Sequence, residues 1–201
     1  MKLKKIWENV NLVRSLPSTF AYKLSRNKSI INKDIEVWVQ INNLEGFNYS
    51  KIRYLNWLLV NKEEFRNLFY TRLNNNLIAI LLGIFFRKLN SLYISTRDIG
   101  PGLFISHGFS TIILANRIGE NCWINQQVTI GTKNGVPTPP TIGDNVRIGA
   151  GAIVVGDIKI GNNSFIGAGA VVAKDVPENS VIIGNPAILL KKDGVKVNQR
   201  L

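Results

Sequence analysis

Two side chains stand out as candidate reactive groups, and each occurs once in the 201 residues: His107 and Cys122. Imidazole is the side chain whose unperturbed pKa suits removal of a proton from a hydroxyl near neutral pH. His107 therefore reads either as a general base or as a packed structural histidine. Cys122 as a covalent nucleophile would need to be a thiolate. It sits inside Ile118-Gly119-Glu120-Asn121-Cys122-Trp123, at a place where small residues pack, and reads as inert. One histidine without clustered carboxylates or thiols is a poor transition-metal site, so no metal is expected. A single cysteine forbids an internal disulfide, which suits a reducing, cytoplasmic setting.

The elements that must hold these residues are written in a period of six. From Ile118 to Val172 every sixth residue is Ile or Val, and Ile118, Ile130, Ile142, Ile148, Ile160 and Ile166 are each followed by Gly. That period fits neither a helix at 3.6 nor an alternating strand. It is the spacing of hexapeptide repeats stacked into a parallel β-helix, with three hexads to a triangular turn and an inward ladder of aliphatic side chains. Ile99 and Ile105 keep the spacing, but the next inward position reads as Ile112, seven residues on. The slip falls across residues 106–111 and resembles a bulge, a device that re-aims side chains near active sites. His107 lies in it. A second interruption, residues 132–141, holds three prolines and an Asn-Gly pair, and predicts a loop leaving the coil despite Val136 being in register. Residues 181–187 close the repeat, and the polar, basic tail from Lys191 reads as frayed.

Residues 1–90 read as a small, mainly helical domain, with Leu12, Leu16, Phe20 and Leu24 spaced by four and a helix start at Asn74-Asn75-Asn76 before the apolar run 77–86. That run is too short to span a bilayer. The region carries 15 Lys or Arg against 6 Asp or Glu, whereas residues 91–201 carry 10 against 7. A basic segment of this kind meets an anionic glycan, a membrane surface or nucleic acid, or simply keeps the chain soluble. No nucleic-acid-binding signature accompanies it, so nucleic acid is not expected. Trp38, Trp57, Phe65, Phe69, Tyr70, Phe85 and Phe86 read as core or subunit contact, with peripheral membrane contact as the alternative.

Ile99-Gly100-Pro101-Gly102-Leu103, His107-Gly108, Val128-Thr129-Ile130-Gly131, Ile148-Gly149-Ala150-Gly151-Ala152, Ile166-Gly167-Ala168-Gly169-Ala170 and Gly184-Asn185-Pro186-Ala187 together resemble the hexapeptide-repeat acyltransferases, in their serine acetyltransferase-like branch. The resemblance covers about residues 91–190. It implies a mainly β fold, a left-handed parallel β-helix behind the helical domain, a homotrimer, acetyl-CoA as donor and active sites in clefts between coils. By the same resemblance His107 is the base that deprotonates an acceptor hydroxyl, and backbone amides near Gly108 or Gly131 would hold the oxyanion. The CoA arm would run along small residues: Gly131, Gly149, Ala150, Gly167 and Ala168. Lys174 and, more weakly, Arg147, Lys191 and Lys192 would meet its phosphates. Ser106, Asn125 and Gln127 are the acceptor-side candidates.

Departures from the family pattern bear on the acceptor. Ser106 stands where serine acetyltransferases carry an Asp, Pro139 where they carry a second His, and Leu92 where an acidic partner is expected. Asp98 or Glu120 could orient His107 instead. The N-terminal region is also shorter than theirs. With the amino acid's polar partners missing, the acceptor expected is a saccharide hydroxyl of a capsular or other surface polysaccharide. Serine O-acetylation is the alternative, and a non-catalytic scaffold the second. The domains expected are 1–90, the β-helix 91–190 and the tail 191–201.

Overall fold

The computed structural model describes residues 10–134 and 137–201, which divide into a unit ending at Leu89 and a second spanning Asn90–Leu201. Val136, in register by sequence, lies outside the described residues.

Among the described residues of the first unit, α1 (Leu16–Leu24), α2 (Lys28–Ile41), α3 (Lys51–Asn61), α4 (Glu63–Leu73) and α5 (Asn76–Gly83) follow one another. Asn75 starts α5 by accepting a hydrogen bond from the Ile78 N–H at 3.0 Å, the N-cap role for which Asn is suited. Trp38, Phe65, Phe69, Tyr70 and Phe86 join Leu55, Leu58, Leu59 and Leu68 in the core. Arg72 and Asp34 form a buried ion pair, Nε to Oδ2 at 2.8 Å and Nη2 to Oδ1 at 3.2 Å. A buried charge pair is tolerated when both oxygens are engaged in this bidentate way. α1 inverts the usual rule. It turns Ser18, Thr19 and Tyr22 inward and leaves Leu16, Phe20 and Leu24 exposed, so the stripe spaced by four forms a helix but does not build the core.

The second unit is a left-handed parallel β-helix. Its strands β1 to β12 are two or three residues long, and pair only with strands one coil away: β1 (Leu92–Ile94), β3 (Thr111–Ile113), β6 (Thr129–Gly131), β9 (Ile153–Val155) and β12 (Val171–Val172) on one face; β4 (Arg117–Ile118), β7 (Thr141–Ile142) and β10 (Lys159–Ile160) on the next; β2 (Phe104–Ile105), β5 (Trp123–Ile124), β8 (Arg147–Ile148), β11 (Phe165–Ile166) and β13 (Ser180–Ile183) on the third. Register makes three inward ladders: Ile94, Ile113, Ile130, Val154, Val172; Ile99, Ile118, Ile142, Ile160, Val176; Ile105, Ile124, Ile148, Ile166, Ile182. Stacking identical β-branched side chains fills a narrow core without large or polar atoms. One of the three edges is stitched by a ladder of asparagines. Asn145 donates to Asn163 at 3.2 Å, Asn163 to Asn179 at 3.0 Å, and Asn179 to the Asp193 carboxylate at 2.9 Å. All three asparagines adopt positive φ, which Asn tolerates better than most residues.

Two expectations, on Ile112 and on the tail, are corrected here. Ile112 is not inward: it is 45% exposed, while Ile113 is fully buried and pairs with Ile130. The side from Ile105 to Ile113 therefore gains two residues, and the following one to Ile118 loses one. The tail from Lys191 is not frayed. β13 (Ser180–Ile183), β14 (Ile188–Lys192) and β15 (Val195–Arg200) run antiparallel and extend the third face, so the boundary expected at 191 falls inside β14. Between β6 (Thr129–Gly131) and β7 (Thr141–Ile142) there is no strand among the described residues, and this side of the coil is lengthened by a hexad.

Candidate active site

His107 lies two residues past the end of β2 (Phe104–Ile105), after Ser106, on the edge where the third face turns into the first. Two left-handed residues fall in this turn, His107 at φ 52° and Ser110 at φ 52°. Ser110 is the regular one, three residues before Ile113 as Gln127, Gly151 and Gly169 are three before Ile130, Val154 and Val172. His107 belongs to the insertion. A short turn is closed by the Phe109 N–H donating to the His107 carbonyl at 2.6 Å. His107 is exposed, and its imidazole makes no hydrogen bond or ion pair among the described residues. A non-glycine residue held in a sparsely populated backbone region at a repeat defect is the kind of outlier that points toward function.

Below His107 the same edge continues through Asn125 and Gln127, then Gly149 and Ala150, then Gly167 and Ala168. Backbone bonds fix the spacing: Ser106 N–H to Ile124 O at 2.9 Å, Asn125 N–H to Ile148 O at 3.0 Å, Gly149 N–H to Ile166 O at 2.7 Å. A Cβ at Gly149 would stand 2.6 Å from Ala168 N, so only glycine permits this stacking distance. The N–H groups of Ala150 and Ala168 donate to no acceptor among the described residues and sit at the rim. They are two backbone donors, one coil apart, free for an extended ligand bearing amides.

Of the other sequence candidates, Asn125 shares this edge and the rest are placed elsewhere. Asn125 is committed locally, accepting from Trp123 Nε1 at 3.3 Å and donating to Ile148 O at 3.0 Å. Trp123 packs tilted against Phe104, with centroids 4.5 Å apart and ring planes 57° from parallel, and the Arg147 guanidinium lies 5.7 Å from the Trp123 centroid, so Arg147 projects from the third face and not from the edge. Gly131 and Lys174 lie on a different edge, where the first face turns into the second. Lys191 and Lys192 are strand residues of β14. Neither acidic candidate orients the imidazole. Asp98 faces Arg117 at 3.9 Å, and the Glu120 N–H donates to Asp144 at 2.9 Å. Asp98 and Glu120 also flank the second face, away from the His107 edge.

Cys122 is buried, with its thiol 3.1 Å from Gly143 O. Burial pushes its pKa up to about 11, so at neutral pH it is not a thiolate. Among the described residues no group of three or more His, Cys, Asp or Glu could hold a metal. Sequence reasoning missed Ser110 as an edge residue; its distance of three from Ile113, shared by Gln127, Gly151 and Gly169 before their own inward aliphatics, was the available signal.

Residues 139–174 match the model of the bacterial transferase hexapeptide, six repeats. A serine acetyltransferase of Staphylococcus aureus (strain Mu50 / ATCC 700699) is 46% identical over 104 residues, 50% of this chain and 49% of that protein. The chain spans about half the length of the curated relatives it matches. Among solved structures, soybean serine acetyltransferase complexed with serine aligns with 28% identity and TM-score 0.65, over 81% of this chain and 69% of that one. Serine acetyltransferase from Brucella abortus strain S19 in complex with coenzyme A aligns with 25% identity and TM-score 0.64, over 84% and 69%.

These likenesses overturn the saccharide expectation. The repeat is shared with proteins named serine acetyltransferase, and no relative or neighbour reported above is a polysaccharide O-acetyltransferase. The expectation rested on the departures at Ser106, Pro139 and Leu92, which remove polar partners for an amino acid without supplying any for a sugar, and on a net charge that belongs to the helical unit. That charge says nothing about what the edge beside His107 recognises.

Proposed function

We propose that the protein transfers the acetyl group of acetyl-CoA to the side-chain hydroxyl of L-serine in a single direct displacement, with no acyl-enzyme intermediate. The observation that carries this reading is the edge itself: one exposed histidine in an insertion of the coil, above a track of small residues with outward amides, in a repeat shared with serine acetyltransferases. His107 accepts the hydroxyl proton as the serine oxygen attacks the thioester carbonyl. The C–O bond forms, the carbonyl electrons move to oxygen, and backbone N–H groups near Gly108 stabilise that oxyanion. Collapse breaks the C–S bond, and His107 returns the proton to sulfur, leaving O-acetylserine and free CoA. The amides of Ala150 and Ala168 hold the pantetheine arm.

A homotrimer belongs to the same proposal. Lys174 lies on a different edge from His107 within one chain, so a cation near the CoA phosphates would come from the facing edge of a neighbouring subunit. Ser106, in place of an acidic residue, leaves the serine ammonium with one fewer anionic partner, and Ser110 and Gln127 are exposed polar side chains on that edge.

The test is release of CoA thiol from acetyl-CoA on addition of L-serine, with His107→Ala beside the wild type. Serine-dependent release that disappears in the variant supports the reading. Undiminished release in the variant removes His107 from the mechanism, and no release with serine removes the acceptor.

A further inference from the structure

Among the described residues, the helical unit carries an apolar face that no other element covers. Phe20 and Leu24 of α1 and Ile80 and Leu81 of α5 point outward, with Phe20 66% and Ile80 69% exposed; Ile84, just past α5, is 75% exposed. The two helices flank a groove of about 720 Å³ in which Phe20, Leu24, Ile78, Leu81 and Phe85 meet. Arg14 ties the ends together, donating from its guanidinium to the Phe85 carbonyl and lying 4.3 Å from the Phe86 ring centroid. Soluble chains rarely leave so continuous an apolar patch exposed without a use for it.

The charge pattern says what kind of surface would cover it. There is no Asp or Glu between Glu8 and Asp34, nor between Glu64 and Asp98, and these are the two stretches that build the face. They carry Arg14, Lys23, Arg26, Lys28, Arg87 and Lys88 instead. Lys23, Arg26, Arg87 and Lys88 are exposed, and Arg26 lines the groove. The described acidic residues of the unit all fall on α2, α3's flanks and the start of α4, where Asp34, Glu36 and Glu63 are engaged by Arg72, Lys51 and Arg66. A second protein copy presenting the same face would set cation against cation. A bilayer with anionic headgroups satisfies both features, taking the apolar side chains below the headgroups and the basic rim at them. Among the described residues no helix is long and apolar enough to cross a membrane, so the contact would be peripheral.

We propose that the α1–α5 face docks the protein on the surface of an anionic lipid bilayer. The acetyl-transfer reading is independent of this contact.

The experiment is flotation of the full-length protein with vesicles of phosphatidylcholine alone or mixed with phosphatidylglycerol. Binding to the anionic vesicles is expected to exceed that to neutral ones by about tenfold or more and to fall at about 1 M salt, where the Debye length is about 3 Å. Phe20→Glu with Ile80→Glu is expected to abolish flotation while serine-dependent thiol release persists, which shows that the variant is folded. Should that variant misfold, Lys23→Glu with Arg26→Glu and Lys88→Glu serves instead, and is expected to remove the preference for anionic vesicles. No binding to anionic vesicles, equal binding to both kinds, or full binding by a folded variant each overturns the proposal. So does a wild type that ignores vesicles but sediments as a larger assembly than the Phe20→Glu, Ile80→Glu variant, because a second copy then covers the face.

Discussion

In the β-helix a residue's place in the repeat decides whether it is buried; in the helical unit it does not. Ile118, Ile124, Ile130, Ile148 and Val154 are at or near zero exposure and each is covered by its own counterpart one coil away. Leu16, Phe20 and Leu24 are as regularly spaced, yet they face outward. A coil supplies its own partner at the next turn, whereas a helix stripe is covered only if another element happens to pack on it. Regular apolar spacing is thus a statement about burial only where the architecture repeats.

The largest effect expected concerns the one residue that escapes the β-helix rule. His107→Ala should lower serine-dependent thiol release by about 10²–10⁴-fold, while a urea melt moves by no more than about 0.5 kcal/mol, as for an exposed side chain. Equal losses of both would make His107 a structural residue and the rule unbroken. Next, Ile148→Ala removes a rung between Ile124 and Ile166 and should cost about 2–5 kcal/mol in the same melt.

A smaller effect separates the units by pH. The Cys122 thiol is raised from 9.0 to about 11 by burial, and the Tyr70 hydroxyl, which donates to Phe86 O at 2.7 Å, from 10.0 to about 12, again by burial. Each folded value lies above the ordinary one, so the native state keeps its proton longer. The stabilisation is whole below the ordinary value and is lost as pH rises through the folded one. For Cys122 this amounts to about 2–3 kcal/mol between pH 9 and 11. Stability measured across that range should fall in the wild type and fall less in Cys122→Ala, with the Tyr70 contribution remaining. The smallest effect belongs to the uncovered face: Ile84→Ser should change the stability of the dispersed protein by no more than about 0.5 kcal/mol. A loss comparable to that of Ile148→Ala would mean that the face is covered in solution and that the contrast between the units is false.

Much of the site was legible because it depends on local rules. A period of six in β-branched residues admits one architecture, and a lone histidine at the slip in that period marks the place where the backbone departs from it. The depth of the slip was not legible. Ile112 and Ile113 are chemically equivalent, and only pairing with Ile130 chooses between them. Nor could spacing tell that Lys174 and Gly131 turn onto a different edge from Gly149 and Gly167, since that depends on which corner of the triangle each residue occupies.

The sequence by itself therefore determined the β-helix, its three aliphatic ladders and the exceptional position of His107, because each follows from contacts a fixed number of residues apart. Tertiary structure decided the outward turn of α1, the antiparallel hairpin that carries residues 188–200 onto the third face, and the separation of the small-residue track from Lys174. Those outcomes rest on contacts between segments distant along the chain, where several packings satisfy the same local pattern and the lowest in free energy is selected by the whole fold.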